Sequence, residues 1–556
     1  MDRATSDALP APSADPTFPT LTPAQVSRID ARGRRRRVAR GEVLAEPGGQ
    51  STRFFVVTDG SLRIVRPSAT GAVLVAEIGP GMFTGEVSML TGRPGLARIE
   101  AAEDGGVIEL TRDELLALVQ TDGELSEIFL RAFVLRRSAL IARDLGDVVL
   151  VGSSHCAGTL RVREFLTRNG HPYTTIDLDR DPGVQNLLDH FHVAAADVPV
   201  LICRGSLVLR NPTNREIADC LGFNAAVDQT RVRDLVVIGA GPAGLAAAVY
   251  GASEGLDVLV LEVNAPGGQA GTSSRIENYL GFPTGVSGQE LADRAQTQAQ
   301  KFGAQVLIAR GAQRFTCESK PYAIEGDDGT NVRARAVIIA TGAQYRRLPL
   351  PNLTRFEGAG VYYAASFLES QFCRGEDVVV VGGGNSAGQA AVFLAQTARR
   401  VYMLIRSSGL DDTMSRYLIR RIESNPAIEC RTHTNLAELE GDLHLERVHW
   451  QHDDGSVEEH DIRHVFTMAG ALPHTDWVRG CLALDEKGFL KTGADLTPDD
   501  LAAHEWPLTR SPMLLETSLP GVFAVGDVRA GSVKRVASAV GEGSVAISLV
   551  HSVLRE

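Results

Sequence analysis

Two glycine-rich stretches hold the residues best placed to do chemistry in this chain, Gly239-Ala240-Gly241-Pro242-Ala243-Gly244 and Gly382-Gly383-Gly384-Asn385-Ser386-Ala387. The first follows the apolar run 235–238 and opens an Ala-rich segment at 245–250; a second apolar run, 258–261, then ends in Glu262. Strand, tight turn, helix and strand-end acid make a dinucleotide-binding unit. The glycines let the backbone approach a pyrophosphate at a positive helix N-terminus, and the carboxylate receives a ribose hydroxyl pair. The second stretch repeats the logic after the run 377–381, with a helix expected through Ala390 to Ala395. Its next strand, 401–405, ends in Arg406-Ser407-Ser408 and carries no acid. An arginine there suits a 2′-phosphate, so NADPH is expected over NADH, with Gly382, Gly384, Asn385, Ser386, Ala387 and Arg406 as its contacts. Two pyrophosphate cradles in one chain imply electrons moving between two nucleotides.

Further motifs follow the first unit and close the chain. They are Gly267-Gly268-Gln269, Ile276-Glu277-Asn278-Tyr279, Ala340-Thr341-Gly342, the run from Pro520 to Gly526-Asp527, Lys534-Arg535-Val536-Ala537 and Gly541-Glu542-Gly543. With them, residues 232–556 resemble the low-molecular-weight thioredoxin reductase family of flavoproteins. The resemblance implies FAD and NADPH as cofactors and a homodimer. It implies that Gly239, Gly241, Gly244 and Gly342 belong to the FAD site and that Glu262 takes the adenosine ribose. Gln269 and Asn278 would sit near the flavin, Gly526 and Asp527 on the ribityl and phosphate, and Arg535, Val536 and Ala537 along the isoalloxazine.

The chain departs from that family at the redox dithiol. The family's Cys-x-x-Cys places its cysteines 17 and 14 positions ahead of the first glycine of the NADPH turn, and counting back from Gly382 reaches Ala365 and Leu368. A flavin-to-disulfide relay needs one thiolate to attack and a second to resolve, and neither is there. Cys373 is nearby but single, and reads as a small buried hydrophobe.

Residues 147–223 read as a small α/β module: a strand at 148–151, Ser153-Ser154-His155-Cys156, a helix from Leu160 to Asn169, a strand at 173–178, and Val198-Pro199 before a last apolar run. The order resembles a glutaredoxin or thioredoxin fold, whose X-Pro before a strand is held in cis beside the active thiol. Only the second position of the usual Cys-x-x-Cys is a cysteine here. The module is either a monothiol site at Cys156 or a degenerate docking module.

The segment before it has the short-strand, glycine-turn rhythm of a cyclic-nucleotide-binding β-roll. Gly85-Glu86 and Arg93-Pro94-Gly95-Leu96-Ala97-Arg98 stand where that family's phosphate cassette belongs. The arginine expected after the proline is replaced by Gly95, leaving Arg93 or Arg98 as substitutes, or a roll that senses another ligand or none. No helix-turn-helix is read after it; a helix from Asp113 to Leu145 leads into the next module.

Composition fits several domains, since 556 residues suggest about three to four. The net charge of −12 argues against nucleic acid and anionic membranes as partners. The basic run Arg34-Arg35-Arg36-Arg37 reads as a solvated strand flank. No stretch approaches about 18 uninterrupted apolar residues, which excludes a membrane span on this reading. The first twenty residues read as a disordered tail and not a signal peptide. Seven cysteines without paired spacing suit a reducing cytoplasm, and no metal-ligand set is read.

The expected fold class is multi-domain α/β: two Rossmann-like dinucleotide-binding domains preceded by a β-roll and a thioredoxin-like fold. The expected boundaries are a tail at 1–20, the roll at 21–145, the thioredoxin-like module at 146–226, a first FAD segment at 227–350, the NAD(P)H domain at 351–474 and a second FAD segment at 475–556. The expected function is hydride transfer from NADPH to FAD and on to a small-molecule or protein acceptor without the usual dithiol. The alternatives are a disulfide reductase relaying through Cys156, a ferredoxin- or quinone-type reductase, and a non-catalytic flavin redox sensor. A regulatory ligand at the roll accompanies each.

Overall fold

The computed structural model describes residues 16–49, 53–68, 71–86, 88–142, 148–153, 156–178, 197–203, 207–442 and 444–556. Most of the expected N-terminal tail, Val87, Ser154 and His155 lie outside the described residues.

Two antiparallel sheets form the first unit. One carries Arg34–Val38, Gly105–Thr111 and Arg53–Asp59 in that order; the other carries Val43–Ala45, Arg98–Ala101, Leu62–Ser68 and Gly71–Ile78. The run of four arginines is a largely solvated edge strand with three of its guanidiniums paired, to Asp30, Glu42 and Asp59. Phe54 and Phe83 reach out of the roll to Phe129 at ring-centroid distances of 5.1 and 4.8 Å, so an aromatic cluster fastens the sheets to the helix Gly123–Ala142. The long helix expected from Asp113 is two helices, Arg112–Thr121 and Gly123–Ala142. Asp122 breaks them in an extended conformation while its carboxylate accepts the Leu125 N–H at 3.1 Å, the local competition that acidic side chains offer a helix.

The second unit is a four-stranded sheet in the order Leu207–Arg210, Val200–Cys203, Val148–Gly152, Thr174–Asp177, with only the last pair parallel. The helix Ala157–Arg168 packs on it and the Val198–Pro199 peptide is cis. Its core does not close on itself. Val162, Phe165, Leu166 and Phe223 belong to the same hydrophobic cluster as Leu235, Val237 and Ala247 of the next unit. Each large side chain so buried contributes roughly 1.5–3 kcal/mol, so the two units are one packed body, not beads on a linker.

The third unit is a seven-stranded sheet in which Val232–Ile238 runs parallel to Val258–Glu262 on one side and Asn331–Ile339 on the other. The chain then leaves it for a five-stranded parallel sheet in the order Val361–Tyr362, His464–Thr467, Asp377–Val381, Arg400–Ile405, Ile428–Thr432. It returns when Val522–Ala524 pairs with Asn331–Ile339.

Cys317 and Cys481 form a disulfide across 164 residues, which corrects the expectation of unpaired cysteines. Spacing could not show it, because the two sulfurs meet only through the chain's return to the third unit. The C-terminal helix Val536–Arg555 is long and apolar enough to cross a membrane by length and composition, at a mean hydropathy of 1.3. Here it lies on the helix Pro242–Ser253, with Ala546, Ile547 and Val550 fully buried.

That crossing depends on a missing side chain. A Cβ on Gly543 would stand 2.2 Å from the Ala243 carbonyl oxygen, whereas one on Gly541 would meet nothing within 4 Å. Gly543→Ala is expected to destabilise the protein by about 1–3 kcal/mol and Gly541→Ala to leave it unchanged or slightly more stable. Thermal unfolding of the two variants checks this; equal melting temperatures would refute the tight crossing.

Candidate functional site

At the first glycine turn the Gly239 N–H donates to the Leu261 carbonyl at 2.7 Å, and Gly239 itself has φ +103°, where a side chain is strained. A Cβ there would come within 2.4 Å of the Ala340 oxygen, and one on Gly244 within 1.9 Å of the Gly239 oxygen. These two glycines hold strand and helix together. Gly241 does something else: a Cβ on it would enter open space. It caps the helix Pro242–Ser253 without any side-chain hydrogen bond, and Pro242 occupies the first helical position. The free N–H groups of that turn therefore face the opening with the positive end of the helix dipole.

The second turn repeats the division of labour. A Cβ on Gly382, φ +139°, would stand 2.8 Å from the Met468 oxygen, while Gly384 caps the helix Asn385–Leu394 beside open space. Gly239, Gly241 and Pro242 from one turn and Gly384, Asn385 and Ser386 from the other line a single cleft of about 1310 Å³. Anion-binding helix ends on two separate sheets thus open onto one volume.

Glu262, fully enclosed at 6 % exposure, also lines the cleft. Its carboxylate accepts the Ala240 N–H at 2.7 Å and the Asn264 N–H at 2.9 Å. Burial pushes its pKa up and those two bonds oppose the rise. Gln269 lines the cleft and donates to the Ala343 carbonyl at 2.5 Å. Gly342, Gly526, Asp527, Arg535 and Val536 line it as well. Burial raises the Asp527 pKa against the attraction of Lys534, whose ammonium donates to the Asp527 carbonyl at 3.0 Å.

Other expected residues stand elsewhere. Asn278 is exposed and outside the cleft lining, as is Ala537. Gly244, Gly382 and Ala387 shape the turns from behind, Ala387 within the hydrophobic core. Asn385 lines the cleft but spends its side-chain oxygen on the Ser415 N–H at 2.9 Å. Arg406 follows the strand Arg400–Ile405 and is exposed, with no carboxylate partner among the described residues.

One wall of the cleft comes from an element no motif marked. The helix Ala157–Arg168 presents Ala157, Leu160, Arg161, Glu164 and Arg168 to it. Arg168 donates to the Gly268 carbonyl at 2.9 Å, and Asn169 to the Asn264 carbonyl at 3.2 Å, gripping the loop that follows Glu262. The spacing of those five residues is that of one helical face. A face can be read from sequence, but not what it faces. Tyr345, His474, Trp477 and Phe489 also line the cleft without a sequence signal.

Cys156 is half-buried at the N-cap of this helix, next to Ala157 at the cleft, and its thiol makes no capping bond. Ala365 packs half-buried against the core of the five-stranded unit. Cys373 is fully buried, its thiol donating to the Glu369 carbonyl at 3.5 Å, and burial pushes its pKa up to about 12. A thiol so held is no nucleophile.

Neither substitute arginine is presented to the interior of the β-roll for a cyclic phosphate. Arg98 pairs with Glu46 at 2.9 Å. Arg93 turns out of the roll, donates to the Asn169 carbonyl at 3.0 Å and covers the Phe223 ring at 4.2 Å.

Residues 233–543 match the model of the family described as pyridine nucleotide-disulphide oxidoreductase, and residues 35–122 match a cyclic nucleotide-binding domain. The thioredoxin reductase of Mycolicibacterium smegmatis is 34% identical over 316 residues, covering 57% of this chain and 94% of that one. The thioredoxin reductase of Bacillus subtilis (strain 168) is 30% identical, covering 59% and 97%. The crystal structure of Lactococcus lactis thioredoxin reductase superposes with a TM-score of 0.52 at 28% identity, covering 58% of this chain and all of that one. Two facing dinucleotide cradles and these matches agree: the chain belongs to the pyridine nucleotide-disulphide oxidoreductase family, as an NAD(P)H-dependent FAD oxidoreductase related to the thioredoxin reductases.

Proposed function

We propose that this enzyme passes reducing equivalents from NADPH to FAD and then directly to an external acceptor, without a dithiol in its flavoprotein half. One observation carries the reading: both helix N-termini open onto one cleft, and no cysteine stands among its described lining residues. FAD and NADPH, when bound, supply the hydride chemistry. The chain's own part is to hold and orient them. The N–H groups at Gly241 and at Gly384 would hold the two pyrophosphates, and Glu262 sets the first turn and has acceptor capacity left for a ribose hydroxyl. Lys534, Arg535 and Val536 line the end of the cleft where the C-terminal helix begins, and the helix Ala157–Arg168 forms one of its walls.

The strand order of the second unit supports reading residues 146–226 as a thioredoxin-like module. A second reading follows from its placement. Cys156 adjoins the cleft rim, so disulfide turnover by the whole chain would run through that thiol.

Three outcomes are expected. Gly241→Val should fold, because its side chain enters open space, yet retain far less flavin; Gly244→Val should fail to fold at the turn it crowds. Absorbance of the purified variants checks this, and full flavin content in Gly241→Val would refute the cradle. Arg406→Ala should narrow the preference for NADPH over NADH by about tenfold in stopped-flow flavin reduction, the loss of a charge-assisted contact. A wild-type preference for NADH would place Arg406 elsewhere. Under anaerobic NADPH titration, Cys156→Ser should reduce its flavin as fast as wild type and lose any disulfide turnover, while oxygen, quinone or ferredoxin turnover persists. Thioredoxin reduction surviving in Cys156→Ser would defeat the argument from the missing thiols.

A further inference from the structure

A second cavity, of about 420 Å³, lies where the three leading units meet, away from the dinucleotide cleft. The short helix Ser88–Thr91 of the β-roll and the loop after it, the helix Gly123–Ala142, the turn Asn169–His171 with Phe223, and the helix Gly288–Lys301 all face it. Its size falls within the range of about 300–1,000 Å³ usual for small-molecule sites.

The charges that face this space are only partly matched. Arg294 pairs with Glu290 at 2.5 Å, and Arg137 with Glu86 at 3.4 Å while also donating to the Gly170 carbonyl. Arg93 is different: it is 9 % exposed, has no carboxylate partner among the described residues, and its Nε is without any partner. Asp293 stands opposite on the helix Gly288–Lys301, open to the cavity and bonded only to the Gln289 amide at 2.8 Å. Surrounding protein pushes its pKa up to about 6, with Arg93 and Arg137 pulling the other way. The Gln296 amide nitrogen and the Asn169 amide oxygen are likewise buried without partners. A buried guanidinium nitrogen and two buried amide atoms without partners are costly to leave unmatched, and the exposed Asp293 carboxylate adds an acceptor beside them.

We propose that this cavity binds a nucleoside monophosphate, with the phosphate on Arg93 and an amino or imino donor of the base on Asp293. A nucleotide supplies both halves, an anion at one end and hydrogen-bond donors at the other, across a space in which Arg93 and Asp293 do not pair with each other. The site lies outside the interior of the β-roll, on the side to which Arg93 is turned. It is also wired to the cleft. Arg93 and Arg137 donate to the Asn169 and Gly170 carbonyls, and Gln289 donates to that of Arg168. Arg168 in turn holds the Gly268 carbonyl, and the adjoining Gly267 N–H donates to the Ala240 carbonyl at 2.7 Å. A ligand that engages Arg93 pulls on the end of the roofing helix and, through it, on the first glycine turn.

Calorimetry and thermal unfolding of the full-length, flavin-loaded protein with AMP, GMP, cyclic AMP, cyclic GMP and inorganic phosphate test this. At least one nucleotide should bind and raise the melting temperature, with inorganic phosphate weaker by about tenfold or more. The linear and cyclic forms distinguish which kind is taken. Arg93→Met and Asp293→Asn should each weaken binding by about tenfold or more while keeping the wild-type flavin content. Asp293→Asn preserves shape, so it remains decisive if Arg93→Met folds poorly. Saturating nucleotide should change the rate of flavin reduction by NADPH in wild type and not in Arg93→Met. No titratable binding by any of the four nucleotides, or binding that both variants leave unchanged, overturns the site; binding with an unchanged reduction rate overturns the link to the cleft.

Discussion

The close approach of backbone to backbone at the first glycine turn is the constraint on which the rest of this structure hangs. Gly244 sits on the Gly239 carbonyl and Gly543 on the Ala243 carbonyl at separations no side chain could occupy. Strand, helix Pro242–Ser253 and C-terminal helix are thereby stacked with nothing between them, and the free N–H groups at Gly241 are left facing outward. Looser packing would bury those groups or splay the helix, and the pyrophosphate cradle would be lost. The second turn uses the same device against Met468.

Helix ends aimed at one volume bring backbone N–H groups of two separate sheets into a cleft that charged side chains also line. Backbone dipoles do the anion recognition, and the carboxylate of Glu262 is spent first on the backbone of its own turn. What distinguishes this chain from a bare flavoprotein half is the roof. The helix Ala157–Arg168 shares a hydrophobic core with the sheet beneath it and reaches over the loop after Glu262 with Arg168. The second unit is therefore part of the cleft's architecture.

Among the readings of the sequence that changed on contact with the fold, two have a clear physical reason in how distant segments meet. The cysteines looked unpaired because Cys317 and Cys481 lie far apart along the chain, and only the return of the C-terminal segment to the third unit brings them together. The basic loop of the roll looked like an incomplete phosphate cassette. Its Arg93 is instead drawn outward by an aromatic ring and a helix-end carbonyl that belong to the next unit.

The amino-acid sequence by itself determined the elements whose signals are local: glycine turns between an apolar strand and a small-residue helix, and the residues Ala365 and Leu368 ahead of the second turn. Such features depend on steric rules between near neighbours, so spacing suffices to read them. Only the tertiary structure decided which residues share the cleft. It brought Gly241 and Gly384 to one volume, left Asn278 and Ala537 outside it, and set Arg161 and Arg168 over it from another unit. Docking of that kind is settled by apolar area buried between units and by side chains meeting distant carbonyls, and neither leaves a pattern in the residues on one side alone.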